Sequence, residues 1–264
     1  MNAIILAAGE GKRLHPLTLT KPKCMVELFG KPILERQLSI FKKCGIDDIC
    51  IVTGFKSELI NYPNVDYIKN PNFMKTNMLE SLFCASKKFT ESTIVSYGDI
   101  LFEQQVLKKL IDSKSDFSII IDKQWEKYWK IRSNNPLTDL ESLRHDDMQN
   151  ITSIGQKVSD LNEIQGQYIG LMKFQNNAIK IIKSFYAKSK ETFESTNLNP
   201  LNSSLSFENS YMTDFLQGLI NYGQKLKAIS IENSWLELDN IDDYKLYTNK
   251  NLEKQILEFY DPND

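Results

Sequence analysis

The sequence predicts an α/β fold in which a mostly parallel sheet carries helices on both faces, with a smaller, more antiparallel lobe attached. Three observations predict it. Through residues 3–121, short apolar runs of strand length alternate with segments whose apolar residues recur at helical spacing. Several of the runs are closed by glycine, as Ile4-Ile5-Leu6 is by Gly9 and Ile49 to Val52 is by Gly54. After Asp122 the rhythm breaks into a polar stretch with short strand-like runs.

Taken in chain order, Ile4-Ile5-Leu6 is a buried strand running straight into Gly9 and Gly11. Ile33, Leu34, Leu38, Ile40 and Phe41 fall on one helical face, and Gly45 suits the end of that helix. Ile49 to Val52 is a second strand and Val65 to Ile68 a third. Met78, Leu79, Leu82, Phe83 and Ala85 mark an amphipathic helix. Thr93 to Tyr97 is a fourth strand, closed by Gly98-Asp99; Leu107 to Ile111 is helical, and Phe117 to Ile121 is a fifth strand. The stretch 122–155 is expected to be irregular. Its short strands, Asp139 to Leu143, Ile151 to Ile154 and then Tyr168 to Phe174, are expected to be antiparallel. A helix at Ala178 to Lys188, a Ser/Asn-rich loop at Ser195 to Asn209, a helix at Tyr211 to Tyr222, a strand at Leu226 to Ile231 and a closing helix at Ile241 to Phe259 complete the plan.

Composition narrows the function. The 264 residues are 41% hydrophobic and 25% charged, enough apolar material for a real core. Lys+Arg 32 against Asp+Glu 34 leaves a formal charge of −2, without the basic excess of a nucleic-acid binder. An anionic ligand must therefore be held by local groups. Cys24, Cys44, Cys50 and Cys84 form no CxxC pair and read as reduced thiols, and the only histidines, His15 and His145, cannot build a His-based zinc site. Ala3 to Ala8 is too short for a signal sequence and no run reaches membrane-span length, so the expectation is a soluble cytoplasmic protein with no membrane partner. No internal repeat is visible.

The chemistry-bearing segment is Leu6-Ala7-Ala8-Gly9-Glu10-Gly11-Lys12-Arg13-Leu14, continuing to Lys21-Pro22-Lys23. Glycines directly after a strand let backbone N–H groups approach phosphate oxygens. Arg13 can clamp two phosphate oxygens, Lys23 supplies a compact point charge, and Pro16 and Pro22 stiffen the loop. A P-loop would need Lys-Ser/Thr after its last glycine, and the dinucleotide fingerprint a glycine where Leu14 stands.

On these residues, Leu6 to Lys23 resembles the signature of nucleotidyltransferases that couple NTPs to sugar 1-phosphates or small phosphorylated alcohols. The resemblance implies a Rossmann-like sheet with an acceptor-binding lobe. It makes Arg13 and Lys23 the catalytic cations and Leu6, Ala8, Gly9, Gly11 and Lys12 the phosphate loop. Asp99 and the late Asp239 in Trp235-Leu236-Glu237-Leu238-Asp239 become the carboxylates for Mg²⁺. Lys12 departs from the small Thr or Ser usual in sugar enzymes. Asn77 and Ser81, in the segment that would lie against the base, are candidate nucleotide contacts, with helix capping as the plain alternative for Asn77. As one domain, the chain divides into a nucleotide-binding core (1–121), an acceptor lobe (122–210) and closing helices with the late metal-ligand strand (211–264).

Aromatic faces beside carboxylates are the physics of ammonium recognition, and Trp125, Tyr128 and Trp129 lie near Asp122 in sequence; packing under a flap is the alternative. With them, Glu141, Lys157, Glu163 and Tyr168 are candidate acceptor contacts. The segments Glu163 to Leu171 and Trp235 to Asp239 are similar to those of bacterial choline-phosphate and 2-aminoethylphosphonate cytidylyltransferases. That implies transfer of CMP from CTP to a small ammonium-bearing phosphate or phosphonate, phosphocholine first. The rivals are a sugar-1-phosphate nucleotidyltransferase using UTP or dTTP and a non-catalytic nucleotide-binding protein. Base preference and homo-oligomerisation stay open.

Overall fold

The computed structural model describes residues 1–133 and 140–264; Asp139 and the side chain of Glu163 lie outside the described part. The chain opens with β1 (Asn2–Ala7), buried along its whole length, and passes through two single 3-10 turns at Lys12–Leu14 and Lys23–Met25. The two-residue strands β2 (Glu27–Leu28) and β3 (Lys31–Pro32) form a small hairpin before α1 (Ile33–Lys43). β4 (Ile49–Thr53), β5 (Asp66–Lys69), α2 (Met78–Cys84) and β6 (Ser92–Tyr97) follow. Next come β7 (Ile100–Phe102), α3 (Gln104–Asp112), β8 (Phe117–Asp122) and α4 (Trp125–Arg132). The second half contains β9 (Glu141–His145), β10 (Ile151–Lys157), β11 (Gln167–Gln175), α5 (Asn177–Thr196) and α6 (Met212–Asn221). It closes with β12 (Lys227–Ile231), β13 (Trp235–Glu237), α7 (Ile241–Thr248) and the single turn α8 (Glu253–Ile256).

Seven strands form the central sheet in the order β12-β8-β11-β6-β1-β4-β5. All neighbours are parallel except β11, which lies antiparallel between β6 and β8. Successive side chains of a strand point to opposite faces, and β1 shows the result. Ala3, Ile5 and Ala7 join one core with α1, α3, α4 and α7, while Ile4 and Leu6 join the other with α2, α5 and α6. A sheet covered on both faces needs uninterrupted apolar strands, which is why β1, β4 and β8 read as continuous runs in the sequence.

Three departures from the sequence expectation have local causes. Residues 125–132, expected to be irregular, form α4, because Trp125, Tyr128 and Trp129 stand at i, i+3 and i+4 and bury together. α5 runs on to Thr196, into the expected loop, and stops where Asn197 turns left-handed at φ 56°. The closing helix is broken: α7 ends at Thr248, a 3-10 turn occupies Lys250–Leu252, and only then does α8 begin. β9 and β10 do pair antiparallel as a separate ribbon, and the sheet takes β11 and β12 from the second half of the chain.

Two features position the site. β13 pairs antiparallel with β7, and the Leu238 N–H donates to the Asp99 carbonyl at 2.9 Å, so the late acidic segment lies beside the turn that follows β6. In β11 the register slips between Tyr168 and Met172, and Gly170 sits there at φ 83°, where an added Cβ would lie 2.5 Å from the Tyr97 ring. Only glycine tolerates that turn and that approach together.

Candidate active site

The glycine loop is shaped around Lys23. Gly11 has φ 73°, and a Cβ there would stand 2.9 Å from Lys23 Cβ, so the missing side chain is what lets the lysine stem pass. Thr18 Oγ1 donates to the Gly11 carbonyl at 2.8 Å and fixes the loop from beneath. A Cβ on Gly9 would meet open space, leaving the backbone there accessible to a ligand.

Four charged groups named from the sequence converge. Lys23 Nζ donates to Asp99 Oδ2 at 2.8 Å and to Asp239 Oδ1 at 3.1 Å, and Arg13 Nη2 donates to Asp239 Oδ1 at 2.6 Å. Burial pulls the Lys23 pKa down, but Asp99 and Asp239 outweigh it and hold the lysine protonated above its ordinary value. Lys23 is sequestered at 14% side-chain exposure, whereas Arg13 is 68% exposed and reaches into the cleft.

Sequence reasoning missed a fifth member, Glu237. Carboxylate oxygens of Asp99, Glu237 and Asp239 all lie within 4.8 Å of one another. Burial, with Asp239 and Asp99 adding to it, pushes Glu237 up to about 7. Asp99 Oδ1 is buried and has no hydrogen-bond partner among the described residues. Three hard oxygen donors, one of them orphaned, fit Mg²⁺. The signal was in the sequence: Leu236-Glu237-Leu238-Asp239 alternates with period two, which puts both acids on one face of an extended segment.

A buried guanidinium orders this late segment. Arg132, at 3% side-chain exposure, donates through Nη1 to Glu237 Oε2 at 3.0 Å and through Nε and Nη2 to the two Asp243 oxygens at 3.0 Å each. Asp243 Oδ2 in turn accepts from the Asp239 N–H at 2.8 Å and the Asn240 N–H at 3.1 Å. Arg132 also lies over Trp129 and Tyr128, with its guanidinium carbon 4.9 and 5.2 Å from the ring centroids, and the Glu237 N–H donates to Tyr128 Oη at 2.8 Å.

Three cavities meet around these groups. One of about 90 Å³ lies between Leu6, Gly9, Lys23, Tyr97 and Asp99. A second of about 200 Å³ continues past Arg13 and Asp239 to Trp129, Glu141, Gln167 and Tyr168. A third of about 630 Å³ shares Arg13, Trp129 and Asp239 with it and opens towards α7.

The other residues named from the sequence divide. Leu6 and Gly9 line the first cavity, and Glu141 and Tyr168 line the second, with Tyr168 edge-on to Tyr97 at 5.7 Å. Ala8 lies beside them, its carbonyl accepting from the Phe55 N–H at 3.0 Å. Lys12 is solvent-exposed and reaches Glu10 at 3.8 Å. Ser81 is buried and receives a hydrogen bond from Asn70 Nδ2 at 3.0 Å, while Asn77 caps α2 through the Met78 N–H at 2.8 Å. Both side chains are thus occupied within the protein, and Met78 faces the cleft instead. Asp122 is fully buried and accepts from Gln124 N, Asn233 N and Trp235 Nε1 at 2.9, 3.1 and 3.0 Å, so it braces the fold and lines none of the three cavities. Trp125 and Tyr128 are core residues for the same reason of burial, and only Trp129 of that cluster reaches the cavities. Lys157 is exposed at the end of β10, outside the three cavities. Gln167, Tyr211 and Thr213, not singled out from the sequence, complete the wall of the second cavity.

All four cysteines are free thiols. No helix among the described residues is long and apolar enough to cross a membrane.

Residues 3–160 match the family model of the MobA-like NTP transferase domain. Over 264 aligned residues, 95% of this chain and 100% of the relative, the sequence is 39% identical to the CTP:phosphoglutamine cytidylyltransferase of Campylobacter jejuni. It is 33% identical over 117 residues to the choline-phosphate cytidylyltransferase of Streptococcus pneumoniae, covering 43% of this chain and 51% of that one. Among solved structures, the CTP:phosphocholine cytidylyltransferase of S. pneumoniae is similar with a TM-score of 0.71 at 21% identity, covering 97% of this chain and 98% of that one. The inositol-1-phosphate CTP transferase of T. maritima is similar with the same TM-score, 0.71, at 21% identity over 98% of this chain and 97% of that one.

Proposed function

The chain belongs to the MobA-like NTP transferase family, and from that premise we propose that it transfers CMP from CTP to a small phosphorylated acceptor of the phosphoglutamine type, releasing pyrophosphate. The observation that carries the chemistry is the convergence of Lys23 and Arg13 on Asp99, Glu237 and Asp239 where β1 meets its glycine loop.

In this reading the triphosphate lies along the loop, with backbone N–H groups beside Gly9 turned to its oxygens. An anionic acceptor oxygen attacks the α-phosphorus in line and pyrophosphate departs opposite, so no strong general base is required. Lys23, pinned and protonated, balances charge on the transferring phosphoryl group. Arg13, exposed to the cleft, would exchange Asp239 for the departing pyrophosphate. Asp99, Glu237 and Asp239 would hold Mg²⁺, which supplies Lewis-acid neutralisation of the phosphate oxygens. Positioning and charge neutralisation then account for the rate.

Two observations support phosphoglutamine over the phosphocholine expected from the sequence. The sequence similarity to the phosphoglutamine enzyme covers 95% of the chain, whereas that to the choline-phosphate enzyme of S. pneumoniae covers 43% of it. Moreover, the aromatic faces of Tyr128 and Trp129 are already taken by Arg132, a cation of the protein's own. The ammonium-bearing class is retained on the carboxylate of Glu141, which lines the second cavity apart from the proposed Mg²⁺ group. Pyrophosphate release with CTP, Mg²⁺ and phosphoglutamine, phosphocholine or glucose 1-phosphate tests the reading. Turnover is expected to be at least tenfold faster with phosphoglutamine; preference for either other acceptor overturns it.

A further inference from the structure

Arg132, the last residue of α4, carries its charge into the interior at 3% side-chain exposure. A guanidinium taken out of water needs its donors matched, and the carboxylates of Glu237 and Asp243 match this one. The ring faces of Tyr128 and Trp129 flank it and hold the plane of its fork. Arg132 is thus a fixed object, and what it touches is fixed with it.

Its contacts lead to the acidic group. Nη1 takes Oε2 of Glu237, and a carboxylate has a second oxygen to offer a cation. Nε and Nη2 take both oxygens of Asp243, whose Oδ2 then anchors the backbone N–H of Asp239. Asp99 joins the same segment through its carbonyl, which accepts from the Leu238 N–H. Carboxylates of Asp99, Glu237 and Asp239 within 4.8 Å of one another repel, so their spacing has to be held. Lys23 and Arg13 pair with Asp99 and Asp239, but both line the cavities in which a nucleotide competes for them.

We propose that Arg132 is a positioning residue for the reaction: its fork sets Glu237 directly, and Asp239 through Asp243, at the spacing that takes a divalent cation bound to the triphosphate. The inference rests on the reading of Asp99, Glu237 and Asp239 as the Mg²⁺ group. Arg132 keeps its carboxylates while Lys23 and Arg13 exchange theirs. Geometry and charge make opposite predictions here. A cation 3.0 Å from Glu237 repels a metal ion, so on charge alone its removal tightens metal binding. On the positioning role its removal weakens metal binding, by about tenfold on the scale of groups that orient metal ligands.

The test uses the full-length protein with Mn²⁺ as the probe ion. Isothermal titration with CTP, once in Mn²⁺ and once in EDTA, isolates the metal's contribution to binding without turnover. Arg132→Lys keeps the charge and loses the fork, whereas Arg132→Gln keeps donor hydrogens and loses the charge. Both are expected to raise Kd for CTP in Mn²⁺ about tenfold and to change Kd in EDTA by no more than about twofold. A merely structural role lowers the melting temperature and leaves the Mn²⁺ contribution as it was; that result overturns the proposal, as does a Kd that rises equally in Mn²⁺ and EDTA. Tighter Mn²⁺-dependent binding by Arg132→Gln overturns it too, and so does an Arg132→Lys protein that binds like the parent. Should Arg132→Gln fail to fold, Arg132→Lys decides alone. If the parent protein gains nothing from Mn²⁺, the Mg²⁺ reading falls and takes this role with it.

Discussion

Lys23 shows how much chemistry a single side chain can announce from its place in the sequence. A lysine after Lys21-Pro22, downstream of two glycines and Arg13, is legible as a phosphate group's counter-charge, and the fold delivers it between Asp99 and Asp239. Replacing Lys23 by Ala removes the sequestered cation that touches both carboxylates. Turnover is expected to fall by roughly a hundred-fold or more, the scale for loss of one charge-stabilising group, while far-UV circular dichroism stays native. Turnover within threefold of the parent protein rules the role out. Glu237 and the aromatic trio show the limits of residue reading. The period-two pattern marking Glu237 was present but gave no reason to favour it over other acids. Trp125, Tyr128 and Trp129 were chemically suited to a ligand, and nothing in the composition said that Arg132 would occupy the faces of two of them.

The element that matters most to the site is α4, and the sequence concealed it. Its apolar residues at positions 125, 128 and 129 fit a helix, but the helix is only 8 residues long and sits in a polar stretch. Short helices owe their stability to tertiary contacts more than to propensity, so their evidence lies in partners far along the chain. Here the partners are Trp235, Glu237 and Asp243, about a hundred residues later. Removing the helix's last side chain exposes the dependence: Arg132→Ala leaves Glu237 and Asp243 without their buried partner. Unfolding free energy is expected to drop by about 3–5 kcal/mol, measured by urea titration, with Arg132→Lys intermediate because a lysine cannot reproduce the fork of hydrogen bonds. An alanine variant as stable as the parent would show that the pairs contribute nothing net.

For the whole molecule, the architecture was the most legible level, since alternating buried strands and amphipathic helices leave few alternatives to a covered parallel sheet. The antiparallel direction of β11 was legible, but its place inside the central sheet and the β7–β13 pairing were not, because register between distant strands is decided by packing and not by local pattern. Asp122 ties these parts together: it ends β8 and receives hydrogen bonds from the loop and strand leading to Glu237. Burial raises its pKa above the ordinary 3.8, despite opposing hydrogen bonds from Trp235, Asn233 and Gln124. The folded state therefore holds this proton more tightly than the unfolded chain does. Its contribution is full below pH 3.8 and is lost as pH rises through the raised folded value. The Asp122→Asn variant is expected to lack that falling limb when urea midpoints are compared across mildly acidic pH; identical pH profiles would remove Asp122 as its source.

The pairing of Lys23 and Arg13 with Asp99 and Asp239 has an implication for how substrates are admitted. Each cation already has an anionic mate inside the protein. A nucleotide arriving alone would have to win those cations away and strand the carboxylates, whereas one escorted by its divalent counter-ion lets every partner change hands at once. On the proposed reading the cleft would work as a double exchange, permissive to the neutralised pair and reluctant towards either ion by itself.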